Sequence, residues 1–308
     1  MTQSTPQPTQ AQAWLAAMRP RTLPLAIASS ILGGFLALAD GVFSWPVTLL
    51  CVITAVCLQI LSNLANDYGD SIHGADHIER AGPKRAVQSG LITSGDMKRA
   101  MGLFAGLSAV TGLALVVVAL GVAALPLVLL FLVLGGAAIW AAVSYTASSK
   151  PYGYVGLGDL FVLIFFGWVG TMGTYFLQAQ VWNWLVFLPA TSVGLLSVAV
   201  LNVNNIRDIE SDRKAGKRSV PVRVGPYRAR VYHWFLLGGA VLAALLYVAL
   251  TYRSPWQFLF VLSLPLLWRN GTAVSRTQDP LLLNPMLKQL SLSTLVFVFT
   301  FGVGQILY

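Results

Sequence analysis

Nine apolar runs, each ended by a polar stretch, set the rhythm of this 308-residue chain. They cover residues 23–39, 46–66, 101–120, 124–147, 155–178, 184–205, 231–250, 256–268 and 288–307. A helix needs about 20 mostly apolar residues to cross roughly 30 Å of hydrocarbon. Most of the runs approach that length, so the pattern predicts an all-α polytopic membrane protein with nine transmembrane helices; the run at 256–268 is the shortest. Gly33-Gly34, Pro126 and Gly135-Gly136 fall inside runs. In lipid such residues are tolerated, because small side chains let helices approach and neighbours satisfy an interrupted backbone.

Residues 1–13 are polar and rich in Pro and Gln, and lack the basic segment followed by an apolar stretch that marks a cleaved signal. Residues 1–18 are therefore expected to form a disordered cytoplasmic tail ahead of one nine-helix domain, 19–308. Composition strengthens the membrane reading. Hydrophobic residues make up 56% of the chain and charged residues 10%, against about 25% charged in an ordinary soluble domain, so a polar shell for a soluble globule is excluded. Cys51 and Cys57, six residues apart in one apolar run, imply no disulfide or metal framework.

The net charge of +9 would point to nucleic acid in a soluble protein. Its distribution points elsewhere. Nineteen of the 20 Lys and Arg lie in one alternating set of connections, and only Arg253 lies in the other. The positive-inside rule then places the N-terminus in the cytoplasm and, after nine crossings, the C-terminus outside, with a lipid bilayer rather than nucleic acid as the partner.

The acids follow the same side, which topology alone does not require. Two long connections begin with matched clusters, Asn66-Asp67-Tyr68-Gly69-Asp70 continuing to Asp76, and Asn204-Asn205-Ile206-Arg207-Asp208 continuing to Asp212. Each contains Asn-x-x-x-Asp, and Asn66/Asp70 and Asn204/Asp208 are separated by the same 138 residues. The clusters leave the same end of the second and sixth crossings, which suggests a pseudo-repeat of helix 2 with loop 63–100 and helix 6 with loop 202–230. Spacing of i, i+4 puts Asn66 with Asp70, and Asp208 with Asp212, on single helix faces. Such clusters of hard oxygen donors suit Mg²⁺, which keeps waters and takes phosphate oxygens. Candidate metal ligands are Asn66, Asp70, Asp76, Asp208 and Asp212, with Asp67 able to share the role. Arg80, Lys84, Arg85, Arg213, Lys217 and Arg218 follow closely and are candidates for holding diphosphate oxygens. A solvated loop in which Asp and Arg merely neutralise one another explains one such cluster better than two.

At these residues the sequence resembles the UbiA superfamily of intramembrane aromatic prenyltransferases. The stretches Asn66–Asp70 and Asn204–Lys217 resemble its two aspartate-rich motifs, and the likeness covers nearly the whole chain. The resemblance implies that the motifs bind Mg²⁺ and the diphosphate of a polyprenyl donor, with Asp70, Asp208 and Asp212 catalytic. Gly74 stands where many members carry the last acid of the first motif, and the next acid here is Asp76. Arg19-Pro20-Arg21-Thr22-Leu23-Pro24 and the stretch from Lys150 to Asp159 resemble the branch that prenylates 1,4-dihydroxy-2-naphthoate in menaquinone synthesis. That likeness implies a bacterial inner-membrane enzyme with its active site facing the cytoplasm. It makes Arg19, Arg21, Tyr145, Lys150 and Tyr152 candidates for contacting the aromatic substrate, alongside the plainer reading of boundary Tyr and Arg as membrane anchors and topology signals. Two alternatives stay open: prenylation of another aromatic such as 4-hydroxybenzoate, and a transporter. A transporter should carry its charges at midplane on broken helices, whereas the interiors of these runs hold essentially none.

Overall fold

The computed structural model describes residues 9–73, 86–121 and 123–307, and every regular element among them is helical. A short helix, α1 (Gln10–Met18), precedes α2 (Leu23–Ala39) and α3 (Trp45–Ile72). Next come α4 (Ser94–Leu120), α5 (Leu125–Ser144), and the pair α6 (Gly158–Val162) and α7 (Gly170–Ala179), which a π-helical stretch, Leu163–Val169, joins into one span. The rest of the chain forms α8 (Phe187–Arg207), α9 (Ile209–Lys214), α10 (Val220–Thr251), α11 (Leu264–Arg276) and α12 (Asn284–Ile306). Nine helical stretches among the described residues are long and apolar enough to cross a membrane.

Helix α8 is the axis of the bundle. Fifteen of its 21 residues are buried, and it packs most extensively against α10, with α12 and α2 also on its flanks. By contrast, only Ala141 and Ser144 of α5's 20 residues are buried, and Val133 and Trp140 on that helix are exposed, as lipid-facing residues should be. The π-helical stretch meets α8 through glycines. A Cβ added at Gly167 would lie 2.8 Å from the Gly194 Cα, so the two backbones approach more closely than any other pair of residues would permit.

Three expectations change. Residues 10–18 are not a disordered tail. Thr9 and Gln12 form a capping box, and Ala13 and Ala17, one turn apart, bury against Ile60, Leu64 and Met97, which makes the segment a helix docked on α3. The eighth span is longer than its apolar run, extending over Pro255–Arg276. A 3₁₀ segment, Pro255–Ser263, leads into α11, which continues past Trp268 as an amphipathic helix burying Leu267, Asn270, Gly271 and Val274. Run length cannot register a helix whose outer face is polar. Finally, α10 starts at Val220, ahead of the expected 231, with a break at Gly225 (φ 83°) before Pro226.

Candidate active site

One face of α3 builds the wall of a chamber. Cys51, Thr54, Leu58, Ser62, Asn66 and Asp70 all line it, at helical intervals of three and four residues. From Cys51 to Asp70 the wall runs roughly 28 Å at about 1.5 Å per residue, nearly the hydrocarbon thickness of a bilayer. The cavity measures about 530 Å³. Its long apolar part is bounded by α4, α5 and the π-helical span, with Leu113, Phe131, Phe161 and Phe165 on its surface; its ionic end is bounded by Arg19, Arg21, Asn204, Asp208 and Lys217.

In the second motif, α8 ends at Asp208 (φ −97°, ψ 10°) and α9 restarts at Ile209. The expected continuous helix is broken there, yet the Asp212 N–H donates to the Asp208 carbonyl at 2.8 Å, so the i, i+4 relationship survives. Arg207 is buried and grips Asp208 with two hydrogen bonds, Nε to Oδ1 at 2.8 Å and Nη2 to Oδ2 at 2.6 Å. It also donates to the side-chain oxygens of Asn204 and Asn284, both at 2.8 Å. Lys217, buried as well, places Nζ 3.3 Å from Asp212 Oδ1. Burial alone would pull the Lys217 ammonium's pKa down, but Asp212, helped by Asp70 and Asp208, holds it above the ordinary lysine range. Burial raises the Asp212 pKa against the pull of Lys217, and Asp208 and Asp70 add to the rise. Asp70 from α3 and Asp208 and Asp212 from the second motif thus act on one another in a single electrostatic cluster.

In the first motif, Asn66 and Asp70 lie on the unbroken end of α3. Asn66 Oδ1 accepts from Thr146 Oγ1 at 2.9 Å, and the same hydroxyl reaches the Ala65 carbonyl at 3.0 Å. This seam closes only because of Gly69, where an added Cβ would sit 2.4 Å from the Thr146 carbonyl carbon. Tyr154 Oη donates to Asp70 Oδ1 at 3.4 Å.

Asn66, Asp70, Asp208, Lys217, Arg19, Arg21, Tyr145 and Tyr152 all reach the chamber wall. Tyr145 sits against Gly153 and Gly158; burial pushes its phenol pKa up while Lys217 pulls it back. Tyr152 is anchored by its hydroxyl to the Ala141 carbonyl at 2.8 Å and stacks on Phe161 with ring centroids 4.0 Å apart. Asp212 lies behind Lys217 rather than on the wall.

Other candidates lie elsewhere. Arg213 is solvent-exposed and pairs with Glu210 at 3.0 Å. Arg218 and Lys150 are exposed too, and none of these three lines the chamber. A basic residue in a loop near an acid shows no face, so sequence cannot separate Lys217 from its neighbours. Asp67 is turned toward the connection, where its carboxylate accepts the Ala86 N–H at 3.2 Å. Asp76, Arg80, Lys84 and Arg85 lie outside the described residues. The sequence pattern assigns no site role to Arg207, Tyr154 or Asn284; Arg207 stands inside the second motif, where it reads as one more topology-setting cation.

The donor chemistry fits Mg²⁺. Amide and carboxylate side chains from both motifs line the ionic end, and among the described residues no group of three His, Cys, Asp or Glu forms a ready cage. Mg²⁺ bound through one or two carboxylates, with waters and substrate phosphates completing its shell, needs no such cage.

Fold and chamber together define an integral membrane protein that can hold a charged head group at one face while a long apolar group lies within the bundle. The chain belongs to the UbiA prenyltransferase family, whose pattern matches residues 27–282. It is 47% identical over 303 residues to the 1,4-dihydroxy-2-naphthoate octaprenyltransferase of Escherichia coli (strain K12), covering 97% of this chain and 98% of that protein. The Haemophilus influenzae protein of the same name is 44% identical over 297 residues, 96% of each chain. A UbiA homolog from Archaeoglobus fulgidus, solved bound to GPP and Mg²⁺, shares the fold with a TM-score of 0.64 at 16% identity, over 96% of this chain and 99% of that one.

Proposed function

We propose that this chain transfers a polyprenyl group from polyprenyl diphosphate to 1,4-dihydroxy-2-naphthoate, with loss of the ring carboxylate as CO₂. The reaction takes place at the cytoplasmic side of a bacterial inner membrane, with the N-terminus inside and the C-terminus outside. The observation that carries this reading is the convergence of Asn66/Asp70 and Asn204/Asp208 on the ionic end of one long apolar chamber. The activity named for the full-length relatives supports the choice of acceptor. The second and sixth crossings, α3 and α8, act with their following connections as two copies of one half-unit.

Asn66, Asp70, Asn204 and Asp208 would hold Mg²⁺, with Asp212 behind them; Asp76, six residues after Asp70 in the sequence, is a further candidate ligand. When bound, the ion supplies positive charge against the diphosphate oxygens and eases their departure. Lys217 adds a fixed cation at the same place, and Arg207 holds the Asp208 carboxylate in one orientation. The bond between the prenyl carbon and the diphosphate oxygen breaks, and its electron pair leaves with the diphosphate. A ring carbon of the naphthoate supplies the pair for the new carbon–carbon bond, and the pair released with CO₂ restores the aromatic ring. The faces of Tyr145 and Tyr152 suit the developing allylic cation, and Arg19 and Arg21 pair with the acceptor's carboxylate. The apolar chamber shields the cation from water and lodges the prenyl tail.

The purified chain, given radiolabelled polyprenyl diphosphate with either aromatic acid, is expected to make a labelled lipid from 1,4-dihydroxy-2-naphthoate and to lose that activity in EDTA. Product from 4-hydroxybenzoate alone would reassign the acceptor. Uptake into proteoliposomes without product would replace transfer by transport.

A further inference from the structure

The backbone between α1 and α2 makes an unusual corner. Arg19 is in the left-handed region (φ 49°, ψ 67°), one of two such non-glycine residues among those described. A side-chain-bearing residue resists that conformation, and the proline that follows narrows its choices further. Such a residue persists only when its surroundings over-determine it. Thr22 ties the corner locally, its N–H and its hydroxyl each donating to the Arg19 carbonyl at 2.9 Å. The external tie is Asn63. Its Nδ2 donates to the Met18 carbonyl at 2.9 Å and to Thr22 Oγ1 at 3.1 Å, while its Oδ1 accepts from Gln59 Nε2 at 3.0 Å. Asn63 is 2% exposed, does not line the chamber, and uses both ends of its amide.

Asn63, Asn66 and Asp70 follow one another at i, i+3 and i+7 on α3, one helical face. The residue that grips the corner is therefore rigidly linked to the metal-site donors. Arg19 and Arg21, two long side chains from that corner, line the same chamber. We propose that Asn63 is a positioning residue for the aromatic acceptor: it sets the corner carrying Arg19 and Arg21 in fixed register with Asn66 and Asp70. The inference rests on the reading above, in which those guanidinium groups pair with the acceptor's carboxylate. Asn63 touches neither substrate; it acts through the corner.

The test uses the full chain in proteoliposomes, varying polyprenyl diphosphate and 1,4-dihydroxy-2-naphthoate separately. Asn63→Ala is expected to raise the KM for the naphthoate tenfold or more and to leave the KM for the donor within twofold. Thr22→Val should do the same and Thr22→Ser should restore wild-type behaviour, which keeps the question open to test even if Asn63→Ala does not fold. With a dihydroxynaphthalene lacking the carboxylate, wild type and Asn63→Ala should converge. Equal rises in both KM values, or an unchanged acceptor KM, would overturn the positioning role. Arg19→Gln and Arg21→Gln separate the two layers. If neither moves the acceptor KM, the carboxylate assignment fails; if they do and the Asn63 and Thr22 variants do not, only the role of Asn63 fails.

Discussion

Arg207 and Asp208, neighbours in sequence, turn toward each other at the break between α8 and α9 and form a buried two-bond ion pair, 2.8 and 2.6 Å. Both side chains are almost wholly inaccessible, at 2% and 3% exposure. A buried pair is destabilising to break because the remaining charge keeps its desolvation cost without its partner, about 3–5 kcal/mol. Arg207→Met is expected to lower the thermal midpoint in detergent by an amount consistent with that loss. Arg207→Lys, which keeps the charge and forfeits the planar fork, should fall between. An unchanged midpoint for Arg207→Met would show that the pair does not hold the second motif together.

Gly69 gives a second prediction. A methyl group there would meet the backbone at Thr146, 2.4 Å away, and backbone cannot swing aside as a side-chain tip can. Gly69→Ala should destabilise the protein by about 1–3 kcal/mol, the usual range for overpacking. It should also loosen the Thr146 bond to Asn66, so metal-dependent activity is expected to fall further than stability alone explains. Melting curves and transfer rates on the same preparation check both parts.

Lys217 carries charge where three acids need it. Lys217→Met removes the buried cation beside Asp212 and leaves Asp70, Asp208 and Asp212 to repel one another and the incoming diphosphate. Transfer is expected to drop about 100-fold, the scale for losing one preorganised electrostatic group, with partial recovery in Lys217→Arg. Wild-type turnover in Lys217→Met would remove Lys217 from the site.

These residues also show how much was legible in the chain. The nine spans were, because run length and the near absence of interior charge are dictated by lipid. Equal spacing in two places also marked Asn66, Asp70, Asn204 and Asp208, all of which line the one chamber. Arg207 was not legible, since a cation beside an acid at a membrane boundary also serves topology, and only the α8 break turns it inward. Arg213 and Arg218, expected to hold diphosphate oxygens, lie exposed and off the chamber wall, on faces set by the six-residue helix α9 and the turn after it. The α1 helix was hidden by its Gln- and Pro-rich flank, although Thr9 and Gln12 already carried the capping-box spacing.

Gly136 tests the chamber itself. It lines the apolar part, and a Cβ there would meet nothing within 4 Å. Gly136→Leu should therefore leave the melting temperature nearly unchanged while reducing transfer, and the reduction should grow with the length of the prenyl donor. Equal rates across donor lengths would show that the tail lies elsewhere.

The central claim is that two motifs 138 residues apart form one metal-diphosphate site. The most direct measurement is Mg²⁺-dependent polyprenyl transfer by Asp70→Asn, Asp208→Asn and the double variant, each confirmed as inserted in the membrane. The account predicts that each single change reduces transfer at least about 100-fold and that the double change adds little more, as for residues acting as a unit. Either single variant retaining wild-type activity, or full losses that multiply in the double variant, would contradict it.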